Sequence, residues 1–101
     1  MKTGIILLSL LLIILSCAEE KTADLKLGEK VFKINCVICH GRDGKLAING
    51  AKDLGLSTLS LSDRILIIKE GKNLMTPFKA LLNDEQIRAV AQYSLKFTNA
   101  Q

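Results

Sequence analysis

The sequence predicts a small all-α domain in which three helices are joined by long loops. Apolar residues recur at helical spacing in three segments, 24–35, 63–69 and 84–97, and each segment has a capping residue at one end. The residues between them are rich in glycine and lack the apolar–polar alternation that predicts strands. A chain of 101 residues has room for one such domain.

The chain begins with a segment that is typical of exported proteins. A short basic start precedes an apolar run, residues 4–15, which is shorter than the roughly 20 residues of a membrane-spanning helix. The letters ILSC ending at Cys17 resemble a bacterial lipobox, in which the cysteine is acylated and the chain is cut before it. We therefore predict a lipoprotein signal peptide at residues 1–16. The alternatives are a stray cysteine in a signal sequence and an uncleaved membrane anchor.

The first helix is predicted to follow an acylated Cys17 and a polar tether, which together make up residues 17–23. The tether lacks apolar periodicity, whereas the domain, residues 24–101, starts with a helical pattern. Asp24 is a plausible N-cap, and this helix continues as far as Cys36. Its apolar face consists of Leu27, Val31, Phe32 and Ile34.

The remaining elements are predicted from turn and capping residues. Residues 41–61 form a long loop; Ser62 caps a helix over 63–69, and Gly71 ends it. Asn83 and Gln86 form a capping box for the last helix, residues 84–97. One face of that helix carries Ile87, Val90, Ala91, Ser94 and Leu95.

The most informative motif is the pentapeptide CVICH, which contains Cys36, Cys39 and His40. Two thiols three residues apart, followed at once by a histidine, are the attachment signature of c-type haem. A dithiol redox motif is the main alternative, but it follows a strand in a βαβ unit, and here a predicted helix precedes the motif. A zinc site lacks a conventional fourth ligand. If Cys17 carries lipid, all three cysteines of the chain have a role.

The second axial ligand of such a haem is predicted by elimination. His40 is the only histidine, so two histidines from one chain cannot bind the iron. Met75 is the only methionine after the leader, and it lies near Pro77 in a segment without helical pattern. The alternatives are that Met75 fills a core and that lysine, asparagine or water takes the sixth position.

Charge and composition limit the classes of partner. The net charge is +4, with no tryptophan and one tyrosine, which argues against nucleic-acid binding and suits an acidic protein partner. The lysines that could surround an exposed haem edge are Lys33, Lys45, Lys72 and Lys79. An ordinary solvated surface is the alternative interpretation of these lysines.

Together these residues resemble the small class I, monohaem cytochromes c of bacteria, over about residues 25–97. The resemblance includes the CVICH motif and Met75, and it also includes Gly28, Phe32 and Tyr93 at a helix crossing and Gly50, Ala51, Asp53 and Leu54 in a proximal loop. Lys52 replaces a proline whose carbonyl usually accepts a hydrogen bond from the iron-binding histidine, and Thr76 separates Met75 from Pro77. The resemblance implies the small cytochrome c fold, with its helices and loops wrapped around one covalent haem c.

The function implied is one-electron transfer in an extracytoplasmic respiratory chain. Iron held by both His40 and Met75 has no open position for a substrate, so the protein is expected to be an electron carrier and no enzyme. The expected partners are redox proteins, and no small-molecule substrate is expected. Lipid on Cys17 is expected to anchor the protein to a bacterial membrane, where it faces the periplasm or the cell exterior. Two alternatives remain: a fixed subunit of an oxidase or reductase complex, and a five-coordinate haem sensor or peroxidase if Met75 is not a ligand.

Overall fold

Four α-helices and two 3-10 turns make up the regular structure of the described residues. The structure is a computed structural model that describes residues 2–99, with the backbone alone at residues 2, 3 and 11–18. The helices are α1 (Lys2–Asn35), α2 (Val37–His40), α3 (Leu61–Glu70) and α4 (Asp84–Asn99). The 3-10 turns, Ile48–Gly50 and Leu54–Leu56, lie in the long loop between α2 and α3. Three main helices and long loops confirm the predicted all-α class.

Helix α1 is longer than the sequence pattern predicts. Its 34 residues span about 50 Å, and they include residues 18–23, which the sequence predicts to be a polar tether. Asp24 lies inside the helix, so the prediction that it is the N-cap is wrong. Alanine, glutamate and lysine in this segment are good helix formers, and a helix that continues on both sides propagates through them at little cost. Among the described residues no helix is both long and apolar enough to cross a bilayer.

The protein core lies where α1 crosses α4. Val31 and Phe32 of α1 are buried against Val90 and Tyr93 of α4. Gly28 makes this crossing possible, because a Cβ at this position would contact the Ala89 carbonyl oxygen and lie 2.8 Å from the Tyr93 Cβ. The close crossing of the terminal helices at Gly28 confirms the expectation from the resemblance.

Helix α3 is capped at both ends. The Asp63 amide donates to the Ser60 hydroxyl at 3.2 Å, so Ser60 is the N-cap and the prediction of Ser62 is wrong. Ser62 instead lies in the first turn, with its hydroxyl 3.1 Å from that of Ser60. Gly71 ends the helix with a φ of 72°, a left-handed conformation that glycine adopts without strain. The predicted stop at Gly71 is confirmed.

Helix α4 begins with the predicted capping box. The Gln86 amide donates to the Asn83 side-chain oxygen at 2.8 Å, and the Asn83 amide donates to the Gln86 side-chain oxygen at 2.9 Å. Of the predicted apolar face, Ile87, Val90, Ala91 and Ser94 are buried, and Leu95 is half-buried. The predicted apolar face of α4 therefore packs against the rest of the protein.

Candidate haem-binding site

Helix α2 is a single turn that carries the CVICH motif. The His40 amide donates to the Cys36 carbonyl at 2.9 Å, and the Cys36 amide donates to the Phe32 carbonyl of α1, also at 2.9 Å. These bonds continue the helical path of α1 through the motif, so residues 36, 39 and 40 lie within little more than one turn. Cys36 and Val37 pack against the protein core, whereas Ile38, between the two cysteines, is 78% exposed. Cys36 and Cys39 are not joined in a disulfide.

The ring of His40 is held in an orientation suited to an iron ligand. Its Nδ1 lies 3.2 Å from the Lys52 backbone carbonyl oxygen. A carbonyl only accepts, so Nδ1 donates and carries the proton, which leaves Nε2 with a free lone pair. Burial of the ring lowers the pKa of His40, with the bond to Lys52 acting in the opposite direction. The neutral imidazole required for metal binding is therefore favoured at neutral pH.

The thiol of Cys36 lacks the character of a dithiol redox site. Burial, with a smaller effect of the neighbouring Cys39, raises the pKa of Cys36 to about 11. Dithiol oxidoreductases depend on a lowered thiol pKa, because the thiolate is the nucleophile. A protonated Cys36 at the end of a helix therefore argues against the thiol-exchange alternative. In the part of the chain that is described, no three His, Cys, Asp or Glu side chains form a metal cluster, so the zinc alternative gains no support.

Met75 lies half-buried in the loop that joins α3 to α4. Its amide donates to the Lys72 carbonyl at 2.9 Å, which closes a tight turn. The loop is braced against the end of α3, because the Phe78 amide donates to the Ile68 carbonyl at 2.8 Å. At Gly71 a Cβ would lie only 2.5 Å from the Met75 carbonyl oxygen. Met75 therefore lies in a constrained loop. Thr76 separates Met75 from Pro77, but the loop still forms these contacts.

Many large apolar side chains within and after the motif are not covered by protein. Their exposed fractions run from 41% to 78%, although the α1–α4 core is fully packed. These residues are Ile38, Leu46, Ile48, Leu56, Leu59, Leu66, Leu74 and Leu81. So much exposed apolar surface in a small domain indicates a missing apolar partner. A haem fits this requirement and also fits the donor set of two thiols, an imidazole and a thioether.

The structure places only some of the predicted site residues next to one another. Cys36, Cys39 and His40 lie within little more than one helical turn, and Met75 lies on a separate loop 35 residues after His40. Cys17, the predicted lipid attachment residue, has a side chain that lies outside the described part of the structure. The carbonyl of Lys52 contacts His40, as the resemblance implies.

Sequence reasoning missed one residue, Arg64. Its side chain is buried on α3 and donates hydrogen bonds to the long loop and to α4. Helical spacing did carry a signal, because Arg64 lies four residues before Ile68, which packs on the core. An arginine on the buried face of an apolar helix must find acceptors elsewhere in the fold.

Comparisons with known proteins identify the family of the chain. A family model described as cytochrome c oxidase, cbb3-type, subunit III matches residues 23–93. Cytochrome c6 of Leptolyngbya boryana is 39% identical over 79 residues, which cover 72% of this chain and 92% of that protein. Cytochrome c6 of Parathermosynechococcus lividus is 40% identical over 78 residues, 72% of this chain and 90% of that protein. No solved structure matches.

The matched region includes α2, α3, Met75 and most of α4. Both relatives are matched over nearly their whole length, so the similarity extends far beyond the CVICH motif. The chain therefore belongs to the cytochrome c family and is a one-electron carrier with one covalently attached haem c, not an enzyme.

Proposed function

We propose that Cys36 and Cys39 bind the haem covalently, that His40 and Met75 fill both axial positions, and that the protein carries electrons in a respiratory chain outside the cytoplasm. The observation that carries this proposal is the hydrogen bond from His40 Nδ1 to the Lys52 carbonyl, because it leaves Nε2 unprotonated for iron. Met75 supports the proposal as the only methionine after the leader, held in a braced loop.

The residues of this chain would each have a distinct part in electron transfer. When bound, the haem supplies one-electron exchange between ferric and ferrous iron. His40 and Met75 would keep small molecules from the iron by filling both axial positions, and a thioether ligand favours the ferrous form. Exposed apolar side chains such as Leu56 and Leu74 would exclude water from the macrocycle. No proton transfer is required, since each electron taken from a donor protein passes to an acceptor protein.

The ligand assignment is tested by Met75→Leu, which removes the thioether and conserves the volume of the side chain. We expect the wild-type ferric protein to show the near-infrared band of methionine-bound haem and to resist carbon monoxide when reduced. Met75→Leu should lose the band and bind carbon monoxide. A wild-type protein without the band would overturn the assignment and favour the five-coordinate sensor or peroxidase.

Export and lipid attachment form a further part of the proposal. The basic start, the apolar run and the position of Cys17 support a cleaved lipoprotein signal peptide. Cys17→Ser should leave haem attachment unchanged while it abolishes lipid labelling and moves the protein from the membrane fraction to the soluble fraction. Membrane retention of Cys17→Ser would instead support an uncleaved anchor.

Acidic redox proteins are the proposed partners. The four lysines predicted to surround the haem edge differ in whether a carboxylate compensates their charge. Lys33 pairs with Glu29 at 2.8 Å and Lys79 pairs with Glu70 at 3.0 Å, so part of their charge is compensated. Lys45 and Lys72 are exposed and take no part in the ion pairs of the described residues. Docking to an acidic partner would therefore depend mainly on Lys45 and Lys72. Replacing Lys45 and Lys72 by glutamine should slow reduction by an acidic donor at low salt more than replacing Lys33 and Lys79.

A fixed subunit of an oxidase complex is the second candidate function. The observation that favours it is the family model, whose description names a subunit of a cbb3-type oxidase. Extraction in mild detergent separates the two candidates. A free carrier should migrate alone, whereas a subunit should migrate with oxidase activity and with further haem proteins.

A further inference from the structure

Arg64 is a buried cation whose hydrogen bonds all go to neutral oxygens. Its side chain on α3 is only 5% exposed. Nε donates to the Leu59 carbonyl at 3.0 Å, and Nη2 donates to the Ser57 carbonyl at 3.3 Å and to the Thr98 hydroxyl at 3.1 Å. Nη1 donates to the Ser94 carbonyl at 3.1 Å and to the Ser94 hydroxyl at 3.0 Å. No carboxylate among the described residues forms an ion pair with it.

This arrangement keeps the charge inside the protein without cancelling it. Burial lowers the pKa of Arg64, but a guanidinium stays protonated throughout the physiological range. Carbonyl and hydroxyl dipoles solvate the cation, and the last turns of α4, where Ser94 and Thr98 lie, also carry the negative end of the helix dipole. Dipoles stabilise a buried charge, but they do not remove its net field as a carboxylate partner would.

The same bonds attach the segment 54–59 of the long loop to α3 and α4. Arg64 holds the carbonyls of Ser57 and Leu59, and the Thr98 hydroxyl contacts the Leu54 carbonyl at 3.2 Å. The segment 54–59 is thereby attached to α4 at several points. It carries Leu56, which is 71% exposed, and Leu59, which is 41% exposed. These are two of the apolar side chains that protein does not cover.

We propose that Arg64 is a positioning residue for the haem, which holds residues 54–59 against α4 and whose uncompensated charge raises the reduction potential. The inference rests on the proposed haem site. The ferric form of the site carries one more positive charge than the ferrous form, and it gains one electron and no proton on reduction. A buried cation in the same small domain disfavours the form with the greater positive charge, because the low dielectric screens it weakly.

The test compares four forms of the haem-loaded, full-length protein. Arg64→Gln removes the charge, Arg64→Lys keeps a charge but loses the planar fork, and Arg88→Gln removes an exposed arginine of α4 as the matched control. We expect Arg64→Gln to shift the ferric-to-ferrous ratio at a fixed solution potential about three- to tenfold toward ferric, tenfold being 59 mV. Arg88→Gln should change it less than about twofold, because solvent screens its charge.

The positioning role has its own readout in amide hydrogen exchange. Residues 54–59 should exchange faster in both Arg64→Gln and Arg64→Lys than in the wild type, while Arg88→Gln leaves them unchanged. Arg64→Lys should keep the wild-type potential. If Arg64→Gln does not fold, Arg64→Lys decides: a conserved potential with faster exchange at 54–59 supports the proposal.

The proposal is overturned if Arg64→Gln has the potential of Arg88→Gln, or if Arg64→Lys shifts the potential as much as Arg64→Gln. Unchanged exchange at residues 54–59 in both Arg64 variants would also overturn it. Failure of the haem site itself is seen separately, as a wild-type protein without the methionine band.

Discussion

The α1–α4 crossing and the segment 41–82 pack in opposite ways. At the crossing Phe32, Tyr93 and Phe97 form tilted and edge-to-face ring contacts with centroids 5.1–5.6 Å apart, and Ile87 and Val90 are almost completely buried. In residues 41–82 large apolar side chains stay exposed, and the buried side chain is an arginine. One region therefore satisfies its apolar residues with protein, and the other requires the haem to do so. A domain of this size buries little apolar area in a core made of protein alone, so we expect the haem to form the second half of its core.

Removing the haem should produce the largest difference between the two regions. With Cys36 and Cys39 both replaced by alanine, covalent attachment is lost, and we expect amide exchange in residues 41–82 to rise by at least about tenfold more than at the crossing. Cys17→Ser is the matched control, because it removes a cysteine outside the motif. Equal loss of protection in both regions would show that the crossing has no stability of its own.

Gly28 tests how tightly the crossing is packed. Alanine favours helices over glycine, but its Cβ would meet the Ala89 carbonyl and the Tyr93 Cβ. We expect Gly28→Ala to lower the free energy of unfolding by about 2 kcal/mol, since over-packing outweighs helix propensity. Gly50→Ala is the comparison: no atom lies within 4 Å of its Cβ, and its φ of 75° costs only about 1 kcal/mol. Denaturant unfolding of the haem-loaded forms measures both, and a more stable Gly28→Ala would contradict the close crossing.

Cys36 lies where the two regions meet, and its thiol reports on whether the crossing stays packed without haem. Its pKa of about 11, against an ordinary 9.0, means that little thiolate exists at pH 8. In haem-free protein we expect its alkylation rate to keep rising up to about pH 11. The same shift stabilises the fold below pH 9, and this stability is lost as the pH rises through 11, because unfolding releases a more acidic thiol. Mass spectrometry of alkylated peptides gives the rate, and a plateau near pH 9 would indicate an opened crossing.

The capping box of α4 should contribute least. Gln86→Ala removes the acceptor for the Asn83 amide, and we expect a loss of about 0.5–1 kcal/mol in unfolding free energy. Gln92→Ala, further along the same helix, removes an amide that caps nothing and should change the stability by less than about 0.5 kcal/mol. Thermal unfolding is sufficient to rank the two variants. Equal effects would mean that the cap is not formed in solution.

Local signals predicted the elements that depend on local contacts. The capping box at Asn83 and the stop at Gly71 involve residues within a few positions of each other, and both are confirmed. The cap of α3 was misplaced because Ser60 and Ser62 are both suitable, and only the path of the chain decides between them. The helix over residues 18–23 was not predicted because this segment is polar and lacks apolar periodicity, whereas helix propensity alone supports a helix there.

The part of the candidate site that the sequence predicts is the part whose residues lie in one short motif. The CVICH motif and the scarcity of other ligands are the sequence signals for Cys36, Cys39 and His40 as the proposed haem-binding residues, and the relatives establish the haem. Arg64 was not predictable in the same way, because its acceptors Ser94 and Thr98 lie 30 and 34 residues away. Acceptors from distant segments are brought together only by the tertiary fold.

The bond that orients His40 has a consequence for how the protein can vary. Its acceptor at position 52 is a main-chain oxygen, which every amino acid provides, and the Lys52 side chain is exposed. The surface charge at that position is therefore separable from the geometry of the proposed iron ligand. Substitution there offers natural selection, or a protein engineer, a way to change which redox proteins are attracted without disturbing the metal.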